Sequence, residues 1–266
     1  MPELPEVETI RRELQAAVLG KKITGVVIHS PRVIREPGVA EFSRLLKNQV
    51  IKEVLRKGKL LIFELSGGKS LAIHLKMTGQ LIFPGNGKDG RVSFRFSDGK
   101  YLDFKDQRLF AELKVVDNWR EMKFVRGLGP EPFDLKPDGF VKMLSRRKTR
   151  IKPLLLDQTF VAGIGNLYAA EALFRARIDP RRRADSLSGI EAKGLFHQIV
   201  TTLKDAIKYR GSSVDQYVKL DGKPGGYVKY HRVYDRLGKP CPDCRTPIKR
   251  IALGGRGTYF CPKCQK

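Results

Sequence analysis

The sequence predicts an α+β chain in two parts, strand-rich first and helical after, and three observations carry that prediction. Between residues 22 and about 116, short apolar runs recur with turn signals between them, at 23–28, 50–55, 60–65, 71–75 and 92–96. Pro130, Pro132 and Pro137 then fall close together, where they resist both helix and sheet ladder, and the composition turns helical beyond them. All four cysteines lie in the last 26 residues, as Cys241-x2-Cys244 and Cys261-x2-Cys264 with sixteen residues between the pairs.

The first element is a helix. Pro5 suits a first turn, where its missing N–H is an orphan anyway, and Val7, Ile10, Leu14 and Val18 recur at helical spacing until Gly20 closes the run. Glu6 and Glu8 complement the positive end of its dipole. Pro2 lies just ahead of that end. A small residue at position 2 permits removal of an initiator Met, which would leave a secondary α-amine that titrates near neutrality and acts as a nucleophile. Its adduct with an aldehyde-like carbon is an iminium with no N–H to lose, which is a lasting electron sink. Glu3 sits in the same field.

The strands follow. Val92, Phe94 and Phe96 alternate with polar residues, and Ser97-Asp98-Gly99 turns the chain into Tyr101-Leu102-Asp103-Phe104, a hairpin signal. With the earlier strands this predicts an antiparallel β-sandwich flanked by the N-terminal helix. Lys57-Gly58-Lys59 joins two of its strands and reads as a solvated basic turn. His74 on an apolar strand reads as structural, and Met77 and Phe110, near strand ends, read from the residues alone as core.

Residues 130–137 form the expected linker between an N-terminal domain, 1–129, and a helical domain, 138–237, with a terminal module at 238–266. Residues 142–152 hold six basic residues and no acidic one, and lead into two apolar stretches separated by Gly163 and Gly165. Ser188 and Glu191 make a capping box ahead of Leu195, Ile199, Leu203 and Ile207 on one helical face. The Gly-, Tyr- and Lys-rich stretch 212–238 reads as a flexible surface loop. Two C-x2-C knuckles at this spacing predict a zinc ribbon, in which Cys241, Cys244, Cys261 and Cys264 close the tetrahedron of one structural zinc ion and leave no position for a reactive water.

The chain has 266 residues, with 52 Lys and Arg against 28 Asp and Glu, a formal charge of +24. A folded chain this basic is expected to bind a polyanion, nucleic acid first. A membrane partner is excluded from the reading by the lack of a long apolar run, an amphipathic lysine-rich helix or a lipidation signal. The expected location is the cytoplasm of a bacterium. The expected state is a monomer.

Pro2-Glu3-Leu4-Pro5-Glu6-Val7-Glu8 resembles the start of the bacterial formamidopyrimidine-DNA glycosylases, repair enzymes that excise oxidised purines such as 8-oxoguanine from duplex DNA and nick the strand at abasic sites. Leu4 favours this branch over the sister endonuclease VIII group, where the stretch usually reads PEGPE. The resemblance extends over essentially the whole chain through separated motifs in family order. It implies that Pro2 is the nucleophile and Glu3 its acid partner, that Lys59 contacts the phosphate beside the lesion, and that Met77, Arg108 and Phe110 fill the gap left by a flipped nucleotide. The loop 106–111 departs from the family's D-x-R-[KR]-F-G, with Leu109 for a basic residue and Ala111 for glycine. The stretch 151–171 resembles the family's helix-two-turn-helix segment, where Lys152 and Asn166 occupy places that grip phosphates. Arg256, between the cysteine pairs, matches an arginine that enters the DNA beside the lesion, and residues 217–235 resemble a mobile loop that closes over the extruded base. The rival readings are an endonuclease VIII-like enzyme for oxidised pyrimidines and a non-catalytic zinc-ribbon nucleic-acid binder. The second leaves the N-terminal proline unexplained.

Overall fold

The computed structural model describes residues 1–266 as two compact units, Met1–Arg126 with Tyr209–Val228, and Gly127–Lys208 with Lys229–Lys266. In the first, α1 (Leu4–Val18) precedes β1 (Ile23–Ile28), β2 (Ile34–Glu36), α2 (Val39–Leu46), β3 (Ile51–Lys57), β4 (Leu60–Leu65), β5 (Ser70–His74), β6 (Gly79–Gly85), β7 (Val92–Phe96), β8 (Tyr101–Asp106), β9 (Glu112–Val116) and α3 (Lys123–Arg126). The strands form a four-stranded sheet in the order β1-β7-β8-β6 and a five-stranded sheet in the order β2-β9-β5-β4-β3. Every pairing is antiparallel except β2 with β9, which is parallel.

A single core joins the two sheets, Phe94, Phe96, Leu102 and Phe104 from one and Val54, Leu61, Phe63, Ile73 and Leu113 from the other, with Val7, Ile10, Leu14 and Val18 of α1 against it. Strand β4 reads as a continuous apolar run rather than an alternating one because both of its faces are covered. Leu61 and Phe63 point into the main core, while Leu60 and Ile62 join Ala72 under Trp119, Met122 and Val125 on the far side. The expected hairpin at 97–99 is present, with Gly99 at φ +79 supplying the left-handed residue. At the tip of β3 and β4, Lys57 pairs with Leu60, so Gly58-Lys59 is a two-residue turn, and Gly58 has φ +57.

The segment 209–228, expected with the helical half, packs into the first unit instead. Glu6 Oε1 accepts the Ser212 N–H at 2.8 Å, Glu13 Oε2 accepts the Leu220 N–H at 2.9 Å, and Phe83 N–H donates to Leu220 O at 2.8 Å. Tyr217 and Leu220 are buried in the sandwich core, so this stretch is not a loose surface loop.

The second unit holds α4 (Pro137–Leu144), α5 (Ile151–Leu156), α6 (Asn166–Arg175) and α7 (Gly189–Lys208), followed by the hairpin β10 (Lys249–Leu253) and β11 (Arg256–Phe260). The capping box of α7 forms as expected, Ser188 N–H to Glu191 Oε2 at 2.8 Å and Glu191 N–H to Ser188 Oγ at 3.2 Å. Most of the proline-rich stretch stays outside helix and strand, and Pro137 opens α4. It is nevertheless fixed to the α5–α6 turn, since Pro130 O accepts the Ala162 N–H at 3.0 Å and Gln158 O the Gly129 N–H at 2.9 Å. No helix is long and apolar enough to cross a membrane.

Candidate active site and nucleic-acid interface

Pro2 and Glu3 lie at the N-terminal end of α1, Pro2 buried and Glu3 only 5% exposed. The backbone there is held by Glu6, whose Oε2 accepts the Glu3 N–H at 2.9 Å while its other oxygen takes Ser212. One buried carboxylate therefore fixes the N-terminal residues to the segment 209–228. The positive end of the α1 dipole points at Pro2 and Glu3.

Glu8 does more than complement that dipole. Its carboxylate takes Arg11 at 3.0 Å, Arg12 at 2.7 Å and Arg56 at 3.1 Å, and although burial opposes ionisation, the three guanidiniums outweigh it and hold the group at about 2. Arg56 Nη1 also donates to Gly58 O at 2.9 Å. A chain of charge-assisted bonds thus runs from α1 to the turn that carries Lys59. Lys59 is 5% exposed, which replaces the solvated basic turn read from the residues with a buried cation. His74 is structural, as expected. Its Nδ1 accepts the Lys76 N–H at 3.0 Å, and burial, reinforced by the Lys76 charge, lowers it to about 4 and leaves it neutral.

Met77, Arg108 and Phe110 come together at the surface. Met77 is 42% and Phe110 50% exposed, so neither belongs to the core. Arg108 bridges them, Nη1 to Met77 Sδ at 3.3 Å and guanidinium carbon 4.7 Å from the Phe110 ring centre. Their loops are tied by Asp106, a buried carboxylate whose Oδ1 accepts the Thr78 hydroxyl and the Arg108 N–H (3.2 Å), and whose Oδ2 accepts the Ala111 N–H (2.9 Å). Leu109 adopts φ +57 and packs its side chain against the sandwich core, a place that suits the leucine of this chain. Asp106 was visible in the sequence as the first residue of the loop, but nothing local marked it as the group that organises both loops.

In the second unit, α5 and α6 are joined by a turn knitted by Gln158, whose amide nitrogen donates to Leu156 O and Ile164 O at 2.9 and 2.8 Å and whose oxygen accepts the Gly163 N–H at 2.9 Å. Gly163 takes φ +95, which a side chain would resist. Asn166, the first residue of α6, accepts Lys152 Nζ at 2.6 Å and donates to Gly257 O at 3.0 Å, leaving its second amide hydrogen for an outside acceptor. Lys152 requires a correction. It is fully buried, with Nζ donating also to Thr258 Oγ1 at 2.9 Å, so it does not present its charge to a phosphate from the surface. It joins α5 to Asn166 and to the ribbon strand that begins with the exposed Arg256.

The ribbon itself turns at Gly254 and Gly255, both with positive φ, which places Arg256 opposite Leu253 at the tip. At its base the four Cys Sγ atoms lie within 4.8 Å of one another, with Cys241 and Cys264 3.9 Å and Cys244 and Cys261 3.5 Å apart. A zinc ion with Zn–S bonds of about 2.3 Å needs sulfurs about 3.8 Å apart at the corners of a tetrahedron, so the four thiols fit one structural zinc ion. Glu171 of α6, fully buried, accepts the N–H groups of Arg232, Val233 and Tyr234 at 2.9, 3.0 and 2.8 Å and so anchors the segment that leads into the ribbon. Its carboxyl lies inside an apolar helix run, and sequence gives no sign of partners 61 or more residues away.

Three family profiles match consecutive parts of the chain, the formamidopyrimidine-DNA glycosylase N-terminal domain over residues 1–113, the H2TH domain of the same enzymes over 128–218, and a zinc finger found in FPG and IleRS over 238–266. The formamidopyrimidine-DNA glycosylase of Pelotomaculum thermopropionicum is 45% identical over all of this chain and 99% of its own. Among solved structures, the Fpg protein of Thermus thermophilus is 41% identical with a TM-score of 0.89, covering 99% of this chain and 98% of that one. A Lactococcus lactis Fpg bound to DNA containing an abasic site is 33% identical with a TM-score of 0.90, covering 99% of each chain. With an N-terminal sandwich opening on Pro2, a helix-two-turn-helix and a four-cysteine ribbon in that order, this chain belongs to the formamidopyrimidine-DNA glycosylase family.

Proposed function

We propose that this protein is a base-excision repair DNA glycosylase with AP lyase activity, which removes oxidised purines from duplex DNA and nicks the strand. The observation that supports it best is the exposed Met77, Arg108 and Phe110 cluster, carried by the same unit as the buried Pro2-Glu3 end of α1. Two exposed apolar side chains around a guanidinium make little sense for folding and suit a gap in a base stack. In this reading the lesion nucleotide is flipped out, and Pro2, with Met1 removed, attacks C1′ of its sugar. The C1′–base bond breaks with its electron pair leaving on the base, which takes up a proton. The Glu3 carboxylate takes the proton that the Pro2 nitrogen gives up and delivers it to O4′ as the C1′–O4′ bond opens and the nitrogen lone pair forms the C1′=N⁺ iminium. The resulting iminium acidifies C2′. Loss of that proton expels the 3′ phosphate, and a further elimination expels the 5′ phosphate. Lys59 holds a phosphate beside the lesion, and Asn166 and Arg256 hold the backbone from the second unit, with Lys152 setting Asn166 in place. Bound DNA would keep the enzyme at the nucleoid in the cytoplasm.

Single-turnover release of 8-oxoguanine and of an oxidised pyrimidine from matched duplexes tests the substrate class. Faster release of the purine is expected, and the reverse order would move the protein to the endonuclease VIII-like reading.

The zinc supplies structure only. In Cys244→Ser a closed site loses a thiolate, and because metal binding is coupled to folding of so small a module, zinc content and DNA affinity should fall together. Metal analysis and a titration with labelled duplex check this. Loss of zinc with unchanged affinity would show that Arg256 is not positioned by the ribbon.

A further inference from the structure

The basic run ahead of α5 is left without a role by the reading above. Residues 142–150 hold Lys142, Arg146, Arg147, Lys148 and Arg150 and no carboxylate. The structure sets this run beside a second one. Ile151 N–H donates to Arg182 O at 2.8 Å, Ala184 N–H to Thr149 O at 2.9 Å and Asp185 N–H to Arg147 O at 3.2 Å, with a bridge between Arg150 and Arg183. The second run, Arg181-Arg182-Arg183, is matched charge for charge, Arg181 with Asp179 at 2.6 Å, Arg182 with Glu191 at 2.5 Å and Arg183 with Asp185 at 2.7 Å. The first run is not. None of Lys142, Arg146, Arg147, Lys148 and Arg150 forms an ion pair. Arg147 lies 5.8 Å from the Phe160 ring centre, and the charge of Lys148 acts at a distance on Asp185, which Arg183 already holds.

Five like charges held on a folded backbone repel one another, and the carboxylates beside the run, Asp138 one turn before Lys142 and Asp185, are already held by Lys193 and Arg183. Lys142, Arg146 and Arg147, with Gly139 and Met143, line a recess of about 430 Å³. Arg146, Lys148 and Arg150 are all exposed. The five cations span nine residues, from the last turn of α4 through a turn at 145–146 to the bridge at Arg150, and one DNA strand sets a phosphate about every 3.4 Å. The recess offers no aromatic face for a base to stack on and no carboxylate or amide for reading base edges, so the chemistry it fits is a repeating phosphodiester, independent of sequence.

We propose that residues 142–150 form a second DNA contact, a phosphate shelf that grips the duplex backbone outside the lesion site. This rests on the proposed function only in taking duplex DNA as the polyanion. The test uses the full-length, zinc-loaded protein and the triple variant Arg146→Gln, Lys148→Gln, Arg150→Gln, which leaves Arg147 over Phe160. Affinity is measured against salt on two abasic duplexes, one of about 11 base pairs centred on the site and one of about 30; each phosphate neutralised contributes about 0.9 to the slope of log affinity on log salt. On the long duplex the triple variant should lose about two to three from the slope, and on the short one almost nothing. Arg183→Gln, which removes a cation already paired, should leave both slopes unchanged. An unaltered slope on the long duplex, an equal loss on both, or an equal loss in Arg183→Gln would overturn the proposal. Borohydride trapping on the short duplex separates this from the enzymatic reading. Wild-type protein that traps nothing refutes the lyase, whereas normal trapping with an unchanged long-duplex slope refutes the shelf alone.

Discussion

Borohydride trapping on abasic DNA should fall to background, by at least about a hundredfold, when the Pro2 nitrogen is turned into an amide by an N-terminal extension; removal of a covalent nucleophile acts on this scale or a larger one. An amide nitrogen has no lone pair to offer, so no iminium forms and there is nothing for borohydride to reduce. Affinity for DNA should change little, because the groups proposed to hold phosphates, Lys59, Asn166 and Arg256, lie elsewhere in the chain. Pro2→Gly gives a different result. With Met1 removed it retains an amine, but a primary one, whose imine can lose its N–H proton and is a poorer electron sink, so trapping should be reduced rather than abolished. Trapping is read as a covalent band on denaturing gels, with intact mass confirming the state of the N-terminus. Undiminished trapping by the extended protein would remove Pro2 from the mechanism and point to a lysine.

What the sequence made legible was local chemistry. The α1 pattern, the hairpin at Ser97-Asp98-Gly99, the Ser188 capping box and the cysteine knuckles each carry their signal within a few residues, and each forms as read. What it hid depends on partners far along the chain. The three residues of β2 are a strand only because β9 lies alongside them, and β6 has a glycine at each end and Pro84 inside, which mask its period. The eight residues of α2 show no cap signal beyond Gly38. Lys152 stands in a basic run and looks solvated, yet it is buried because Asn166 and Thr258, 14 and 106 residues away, supply its acceptors. The segment 209–228 looks like a loop by composition, and only Glu6, Glu13 and the burial of Tyr217 and Leu220 make it part of the sandwich. Met77 and Phe110 show the converse. Apolar residues beside strand ends read as core on prior alone, whereas the structure leaves both at the surface.

That exposure sharpens the expectation for Met77. A core methionine cut back to alanine destabilises a protein by about 2 to 5 kcal/mol through the cavity it leaves. At 42% exposure Met77→Ala leaves no closed cavity, so thermal stability should stay close to that of the parent protein. The effect belongs to the reaction. Extruding a base costs on the order of a few kcal/mol in stacking and pairing, and the hole must be filled or it draws the base back. Burying a methionine or phenylalanine side chain returns roughly 1.5 to 3 kcal/mol, comparable to that cost, while Arg108, bridged to both side chains, has donors for the orphaned partner base. Loss of the Met77 share should therefore slow excision of a paired 8-oxoguanine by about one to two powers of ten, since each 1.4 kcal/mol is roughly a factor of ten. Strand cleavage at a pre-existing abasic site should suffer much less, because no base remains to be extruded. Both rates are to be measured under single turnover on duplexes that differ only at the lesion. An equal loss on the two substrates would mean that Met77 supports the catalytic unit in general and does not fill the gap, and a large fall in melting temperature would return it to the core.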